Sequence, residues 1–162
     1  MGYDPYDYYD LGNFDQKNTY GTRFGTKKDL ERLLKICEEA NIKCMADIVL
    51  NHRAGGQKEF NENTKLVSET DFSFVKSKMC RWKYNEFHPS TFQEKDNNFF
   101  KDYPDVCHVT TWQEGSAGFD LVQWGKWLKD DIGFTGGWRF DYAKGVDANF
   151  IDKFCKETDD SF

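Results

Sequence analysis

The sequence predicts an α/β fold built around a parallel sheet, and three observations support this prediction. Two short apolar segments of strand length, 43–50 and 137–143, each follow a segment with helical periodicity. A further helical pattern follows the second strand, so that helices and strands alternate along the chain. A long polar segment that fits neither pattern separates the two helix–strand units. Strands that alternate with helices pair in parallel, and ligands bind at the carboxyl ends of such strands.

The first helix–strand unit begins where a turn-rich, aromatic segment ends. Thr26 followed by Asp29 is the pattern of a capping box, and apolar residues then recur at helical spacing, so we expect a helix over 27–40. Asn41 can end this helix in the left-handed conformation. The near-continuous apolar run that follows, within 43–50, predicts a buried strand.

The second helix–strand unit lies near the end of the chain. Helical spacing returns between Phe119 and Ile132, and Gly133 is suited to end that helix. Residues 137–143 then form the second predicted strand, and residues 148–156 form a further helix.

Residues 53–118 differ in character from the segments on either side. They contain few aliphatic side chains, scattered aromatic side chains, many small polar and charged side chains, and no clear period. We therefore expect an irregular lobe inserted between the two helix–strand units. This expectation divides the chain into residues 1–52, the inserted lobe 53–118, and residues 119–162.

Composition and charge restrict the partners of the chain. A formal net charge of −6 and a pI of about 5.1 argue against nucleic acid or an anionic membrane, which clustered lysines and arginines bind. No apolar run approaches the roughly 18 residues that a membrane span needs, so we expect no membrane partner. Aromatic residues make up 17% of the chain; they suit binding to the faces of sugars, although an aromatic-rich core accounts for them equally well.

The five cysteines show neither a CxxC pair nor the density of a disulfide scaffold. Their odd number leaves at least one thiol free. Cys37 and Cys44 lie within apolar patterns, so we expect them to be small buried hydrophobic residues.

Charged side chains share one face of the second predicted strand. Period-two alternation places Arg139 and Asp141 on one face and Trp138 and Phe140 on the other. Burying either charge alone is costly, so we expect the two to pair and to point into an enclosed space. A neighbouring arginine favours the ionised carboxylate, which a nucleophile requires. The alternative is an ion pair that only braces the sheet.

The first predicted strand has a similar arrangement. Asp47 and Asn51 share one face, whereas Ile48 and His52 lie on the other. Both strands therefore finish with polar groups at their carboxyl ends. A single histidine such as His52 is more often a satisfied hydrogen-bonding residue than a catalyst, and its spacing alone does not indicate function.

Two segments resemble the first and second signature regions of the α-amylase family, glycoside hydrolase family 13. They are residues 46–52, with the sequence ADIVLNH, and residues 137–145, with the sequence GWRFDYAKG. Residues 2–8, 21–26 and 103–105 also resemble family patterns, closest to those of archaeal and plant-type α-amylases.

The resemblance implies a partial (β/α)8 TIM barrel with the irregular lobe inserted as domain B after its third strand. At 162 residues the chain is shorter than the roughly 250 residues of a complete barrel, so we expect a fragment of a longer enzyme. Residues 1–52 and 119–162 would be barrel segments and 53–118 domain B. The general acid glutamate and the third carboxylate of the family would lie beyond the end of this chain. The fragment alone is therefore expected to be inactive.

The resemblance also assigns roles to individual residues. Asp141 matches the nucleophile of a retaining mechanism, and Arg139 matches the arginine that orients it. Tyr3 matches an aromatic platform under the sugar that is cleaved, and His52 matches a donor to the hydroxyl groups of that sugar. Lys144 matches a contact on the leaving-group side.

A structural calcium ion is implied in the same way, since Ca2+ binds about six to eight oxygen ligands. Its ligands match Asn51, Asp96, the backbone of Asn98, Asp105 and the carbonyl of Gly145. Without the resemblance, the two aspartates would be ordinary loop acids.

Some relatives also bind zinc near this calcium ion. His88 and Cys107 match two of the zinc ligands, but Gln93 stands where a histidine is expected, so a zinc site is only weakly supported.

The implied function of the full-length parent is calcium-dependent endo-hydrolysis of α-1,4-glucosidic bonds in starch or glycogen. The resemblance implies a secreted monomer whose partner is an α-glucan. Three alternatives remain open. The first is a relative that acts on α-1,6 or cyclic glucans or transfers glycosyl groups, the second is a non-catalytic glucan-binding relative, and the third is a metal-binding structural protein.

Overall fold

The computed structural model describes residues 2–16, 18–89 and 102–158. Its helices are α1 (Lys27–Glu39), α2 (Ala117–Trp127) and α3 (Ala148–Glu157), and its strands are β1 (Ala46–Val49), β2 (Gln57–Asn61), β3 (Leu66–Asp71) and β4 (Trp138–Asp141). Asp96, Asn98 and Gln93 lie outside the described residues. Among the described residues, no helix has both the length and the apolar character needed to cross a lipid bilayer.

The first predicted helix is confirmed with its two end signals. The backbone N–H of Asp29 donates to Thr26 Oγ1 over 3.3 Å, and the backbone N–H of Thr26 donates to Asp29 Oδ2 over 2.8 Å, which completes the capping box. Asn41 has a φ of 57°, in the left-handed region. The backbone N–H of Ile42 then donates to the carbonyl of Cys37 over 2.8 Å, which reverses the chain after α1.

Strands β1 and β4 pair in parallel, which confirms the predicted α/β arrangement. Asp47 lies opposite Arg139, and Val49 lies opposite Asp141. Parallel neighbours need a crossover connection, and here that connection consists of the long polar segment and α2. The register places the carboxyl ends of both strands at the same edge of the sheet.

Helix α2 begins two residues before the predicted start and continues as wider turns over Leu128–Ile132. It ends at Gly133, as predicted, and the φ of this residue, 101°, lies in the left-handed region. The first N–H of α2, that of Ala117, donates to the buried carboxyl group of Glu86 over 2.7 Å. A residue of the polar segment therefore caps a helix of the second unit, and burial raises the pKa of that carboxyl group.

The polar segment contains a β-hairpin, which the absence of a clear period in 53–118 did not predict. Strands β2 and β3 pair antiparallel, with Phe60 opposite Val67. These two apolar side chains are exposed, whereas Asn61 and Thr70 are buried. The buried residues of the two strands are thus polar and their apolar residues are exposed, so the hairpin lacks the alternation of buried apolar and exposed polar residues that marks a strand on a hydrophobic core. The boundaries of the inserted lobe remain a prediction.

A fully buried arginine joins the segment before α1 to the polar segment. The guanidinium of Arg53 donates to the carbonyl of Tyr6 over 2.5 Å and to the carbonyl of Cys80 over 2.6 Å. Three rings surround its central carbon at 3.9, 4.8 and 5.0 Å from their centroids, those of Phe72, Trp82 and Tyr8. Arg53 therefore fixes the position of the loop that leads away from Tyr3.

Candidate active site

Arg139 lies between two carboxylates at the carboxyl ends of β1 and β4. Its Nη1 atom is 2.8 Å from Asp47 Oδ1 and 2.6 Å from Asp141 Oδ1. The geometry follows from the sheet, because Asp47 is directly opposite Arg139 and Asp141 is two residues further along the same face. The hydrogen bond to Asp47 is the largest cause of the raised pKa of the guanidinium, and the hydrogen bond to Asp141 is the second largest. The predicted pairing of Arg139 with Asp141 is confirmed.

The charged face is open, contrary to the expectation of an enclosed space. The side chains of Arg139, Asp47 and Asp141 remain 50%, 43% and 27% exposed. In the described part of the chain, β1 and β4 form a sheet of two strands, so no further strand curves over this face. Asp141 is the most sheltered member of the cluster and remains accessible to a ligand.

Tyr3 joins this cluster through Asp47. Its hydroxyl group donates to Asp47 Oδ2 over 2.8 Å, and its ring centroid lies 5.9 Å from the guanidinium carbon of Arg139. This hydrogen bond is the largest cause of the raised pKa of the Tyr3 hydroxyl. Asp47 was not among the predicted site residues. The sequence did show that Asp47 lies on the polar face of the first strand. Its contact with Arg139 could not be predicted, because that contact depends on the register between β1 and β4.

His52 holds the main chain beside Tyr3. The Asn51 Nδ2 amide donates to His52 Nδ1 over 3.0 Å, so the ring carries its proton on Nε2. Nε2 donates to the carbonyl of Tyr3 over 2.9 Å. The ring stacks on Tyr103, with centroids 5.7 Å apart. Burial lowers the pKa of His52, and the hydrogen bond to Tyr3 and the charges of nearby aspartates oppose this shift.

Lys144 lies three residues after Asp141, in the short turn Ala143–Gly145. Its ammonium group is 5.0 Å from the ring centroid of Tyr142, and the backbone of Tyr142 is left-handed with a φ of 50°. The structure therefore places Lys144 at the same edge of the sheet as Asp141. Its role on the leaving-group side stays a prediction.

Two of the predicted calcium ligands lie on paired segments next to this cluster. The backbone N–H of Val106 donates to the carbonyl of Asn51 over 2.8 Å, and Asp105 bridges to His52. The Asn51 side chain is fully buried, and its Oδ1 atom accepts no hydrogen bond from any described residue. Because its Nδ2 atom is directed to His52, Oδ1 is available as a hard oxygen ligand.

The donor chemistry present here fits calcium. The carboxylate of Asp105 is buried beside Asn51, and Gly145 is buried in the turn after β4. Within residues 2–16, 18–89 and 102–158, no cluster of three or more His, Cys, Asp or Glu side chains could hold a metal ion. The predicted calcium set combines the amide oxygen of Asn51, the carboxylate of Asp105 and the carbonyl of Gly145 with Asp96 and the backbone of Asn98, and these last two lie outside the described residues.

The two predicted zinc residues lie on two segments that pair antiparallel through Phe87 and Val106. The backbone N–H of His88 donates to the carbonyl of Asp105 over 2.8 Å, and that of Cys107 donates to the carbonyl of Glu86 over 2.9 Å. Gln93 lies outside the described residues, so the zinc site stays a prediction.

Comparison with known proteins identifies the family. A sequence model described as "Alpha amylase, catalytic domain" matches residues 1–161. The chain belongs to the α-amylase family. It is 26% identical to the cytoplasmic α-amylase of Escherichia coli K12 over 160 residues, covering 93% of this chain and 31% of that protein. It is 36% identical to the α-amylase of Bacillus licheniformis over 89 residues, covering 54% of this chain and 17% of that protein. This α-amylase family chain spans less than a third of the length of either relative.

Solved α-amylase structures share the fold of this chain. The α-amylase of Geobacillus thermoleovorans, crystallised with acarbose, matches with a TM-score of 0.63 at 21% identity and covers 98% of this chain and 30% of its own. The α-amylase of Malbranchea cinnamomea matches with a TM-score of 0.63 at 20% identity and the same coverage. The α-amylase family chain therefore forms part of a (β/α)8 barrel. The position at which domain B is inserted stays a prediction.

Proposed function

We propose that the complete protein is a retaining α-amylase that hydrolyses internal α-1,4-glucosidic bonds of starch or glycogen. One observation carries this proposal. In a chain of the α-amylase family, Asp141 is held by Arg139 over 2.6 Å at the end of a parallel strand and is still 27% exposed. A carboxylate that is both oriented and accessible is what a glycosidase nucleophile requires.

The chemistry at Asp141 follows from the orientation of its carboxylate. Arg139 binds Oδ1, so we assign Oδ2 as the atom that attacks the anomeric carbon of the substrate. The new C–O bond forms a covalent glycosyl-enzyme, and the electron pair of the broken glycosidic bond leaves with the departing oxygen. A carboxylic acid must protonate that oxygen, and water later cleaves the glycosyl-enzyme. We assign the acid, and the third carboxylate, to the remainder of the complete protein.

The neighbouring residues bind the sugar next to this carboxylate. We assign the ring of Tyr3 as the platform under the sugar that is cleaved. Asp47 accepts a hydrogen bond from the hydroxyl group of Tyr3, and His52 donates one to the main-chain carbonyl of Tyr3. His52 also donates to sugar hydroxyl groups in this assignment, which requires the Nε2 proton to be shared or redirected when substrate binds. Lys144 contacts the leaving-group side.

Calcium is part of the proposal. Asn51 Oδ1, Asp96, the backbone of Asn98, Asp105 and the carbonyl of Gly145 would hold the ion. Its charge would join the polar segment to the ends of β1 and β4 and so stabilise one wall of the cleft. The buried oxygen of Asn51 supports this assignment.

Three further features of the complete protein rest on the family resemblance. We propose barrel segments at 1–52 and 119–162 with domain B at 53–118, a monomeric state, and secretion. The relatives include one protein named as cytoplasmic and one named as chloroplastic, so fractionation of the source cells is the measurement that decides location.

The decisive experiment is to trap the glycosyl-enzyme. The complete protein would react with a fluorinated α-glucosyl donor, on which the second step is slow, and peptide mapping would locate the adduct. We expect one adduct, on Asp141, and none in the Asp141→Asn variant. An adduct on another residue would falsify the assignment of the nucleophile, and binding of maltooligosaccharides without adduct or turnover would favour a non-catalytic relative. Turnover by the 162-residue chain alone would contradict the assignment of the acid to another part of the protein.

A second candidate is an α-glucosidase that releases glucose from chain ends. The chain is 29% identical to the α-glucosidase of Schizosaccharomyces pombe over 130 residues, covering 76% of this chain and 19% of that protein. Product analysis separates the two, since an endo-acting enzyme releases oligosaccharides of several lengths early in the reaction. The same analysis detects cleavage of α-1,6 or cyclic glucans and transfer products.

A further inference from the structure

Two cysteines meet across the turn between α1 and β1. Cys37 lies in the last turn of α1, and Cys44 lies two residues before β1. The left-handed residue Asn41 and the 2.8 Å hydrogen bond from Ile42 N–H to the carbonyl of Cys37 reverse the chain between them. Interaction with the side chain of Cys37 is the largest cause of the raised pKa of the Cys44 thiol. Neither cysteine belongs to the candidate active site.

The backbone holds Cys44 in this place. The N–H of Gly136 donates to the carbonyl of Cys44 over 2.8 Å. A Cβ atom at Gly136 would come within 2.6 Å of the carbonyl carbon of Cys44, so only glycine allows the two segments to approach this closely. Cys44 is therefore fixed by the segment that leads into β4, and Cys37 is fixed by its helix.

Exposure distinguishes this pair from two other cysteines of the chain. Cys37 and Cys44 are half-buried thiols, contrary to the expectation that both are buried. Their positions explain the difference, since Cys37 lies toward the edge of the apolar stripe of α1 and Cys44 precedes the buried strand. Cys80 and Cys107 are fully buried, so neither thiol is accessible to a disulfide reagent in the folded chain.

We propose that Cys37 and Cys44 form an oxidisable thiol pair that closes to an intramolecular disulfide across the α1–β1 turn. With oxidised glutathione, the thiolate of one cysteine attacks a sulfur of glutathione disulfide, forms a mixed disulfide and releases one glutathione thiolate. The thiolate of the second cysteine then attacks the protein sulfur of the mixed disulfide and releases the second glutathione. The protein loses two protons and two electrons, and one glutathione disulfide becomes two thiols. This reaction does not depend on the proposed hydrolase activity.

The pairing can be read directly from tryptic peptides, because Lys43 lies between the two cysteines. Cleavage after Lys35, Lys43 and Arg53 places Cys37 in peptide 36–43 and Cys44 in peptide 44–53. The folded chain would be incubated with oxidised glutathione, blocked with N-ethylmaleimide and digested without reduction. We expect the two peptides to be linked, with a mass about 2 Da below their sum, and to separate on reduction. The link should form faster at about pH 8.5 than at about pH 6.5, because the thiolate is the attacking species.

Two variants and one condition control the experiment. Cys155→Ser, on α3, should leave the link unchanged, whereas Cys37→Ser should abolish it and leave Cys44 as a glutathione mixed disulfide. In concentrated guanidinium chloride, Cys37 should pair with several cysteines rather than with Cys44 alone. The proposal is overturned if the folded wild-type chain yields the two peptides unlinked, each carrying N-ethylmaleimide or glutathione. It is also overturned if folded Cys37 links to the other cysteines as readily as to Cys44.

Discussion

The guanidinium of Arg139 contacts the carboxylate of Asp141 over 2.6 Å, and both residues belong to the same short strand. Residues two apart on a strand point to the same face, so the backbone of β4 sets this contact. The same Nη1 atom reaches Asp47 on the neighbouring strand over 2.8 Å. The orientation of the proposed nucleophile therefore depends on a regular sheet rather than on a loop, which favours a stable geometry at the reacting carboxylate.

Asp141→Asn in the complete protein should lower kcat by at least about 10³-fold, because the amide cannot form the glycosyl-enzyme. Reducing-end release from soluble starch measures this loss. Asp152→Asn is the matched control, since Asp152 is an exposed carboxylate on α3 that pairs only with Lys156 among the described contacts. A variant at Asp141 that keeps its activity within tenfold of wild type would remove the nucleophile assignment.

Arg53→Lys should destabilise the chain by about 2–3 kcal/mol. Lysine keeps the positive charge but lacks the planar fork that reaches the carbonyls of both Tyr6 and Cys80, so one buried acceptor loses its donor. It also loses the stacking of the guanidinium on three rings. Urea unfolding followed by tryptophan fluorescence measures the change.

Arg23→Lys, at an exposed position, is the control for the same substitution. Its free energy of unfolding should match that of wild type within about 0.5 kcal/mol. Equal stabilities for Arg53→Lys and Arg23→Lys would show that the buried contacts of Arg53 contribute nothing.

Local signals in the sequence predicted the parts of the fold that depend on neighbouring residues. Thr26, Asp29 and Asn41 mark the ends of α1, and the apolar patterns mark the three helices and the two parallel strands. The hairpin of β2 and β3 was missed because its buried strand residues, Asn61 and Thr70, are polar and its apolar strand residues are exposed. Local periodicity cannot show which face of such a hairpin is covered.

Parts of the site depend on residues distant in sequence and could not be predicted from it. The period of two showed that Arg139 and Asp141 share a face, but the contact with Asp47 required the register between β1 and β4. Arg53 directly follows His52, and an arginine after a strand resembles a surface cation. The aromatic partners of Arg53 are distant in sequence: Tyr8 lies 45 residues before it and Trp82 lies 29 residues after it.

The contribution of neutral, buried His52 to stability should depend on pH, because protonation of Nδ1 removes the acceptor for the Asn51 amide. Burial lowers the folded-state pKa of His52 below its unfolded value of about 6.5, so the unfolded chain takes up the proton first as the pH falls. The contribution to stability is therefore present above about pH 6.5 and is lost as the pH falls through the folded-state pKa. For one group this loss is no steeper than about 1.4 kcal/mol per pH unit.

His52→Gln separates this effect from the other titrating groups. Glutamine can donate to the carbonyl of Tyr3 but does not titrate, so the variant should lack this part of the acid-induced loss. Urea unfolding at about pH 7.5 and about pH 5 measures the difference for both proteins. The charges of Asp4 and Asp141 raise the pKa of His52 and so oppose the effect of burial. Both aspartates are present in the wild type and in the variant, so comparing the two proteins at the same pH isolates the contribution of His52. Parallel pH profiles for the two proteins would contradict the assignment.

Calcium should stabilise the folded chain, because the unfolded chain does not assemble the oxygen ligands. At a free calcium concentration about 100 times the Kd, the gain would be about 2.7 kcal/mol, and a chelator should reverse it. Asn51→Ala removes the buried Oδ1 atom, and Asp105→Asn removes a charge while it keeps the shape of the side chain, so both should reduce the calcium-dependent rise in Tm. Asn63→Ala, in the exposed turn between β2 and β3, should keep the full rise in Tm.

Magnesium at the same concentration should produce a smaller rise in Tm than calcium, since it requires a tighter octahedral arrangement of ligands. A wild-type Tm that does not respond to calcium, or an unchanged response in both site variants, would show that Asn51 and Asp105 do not bind the ion.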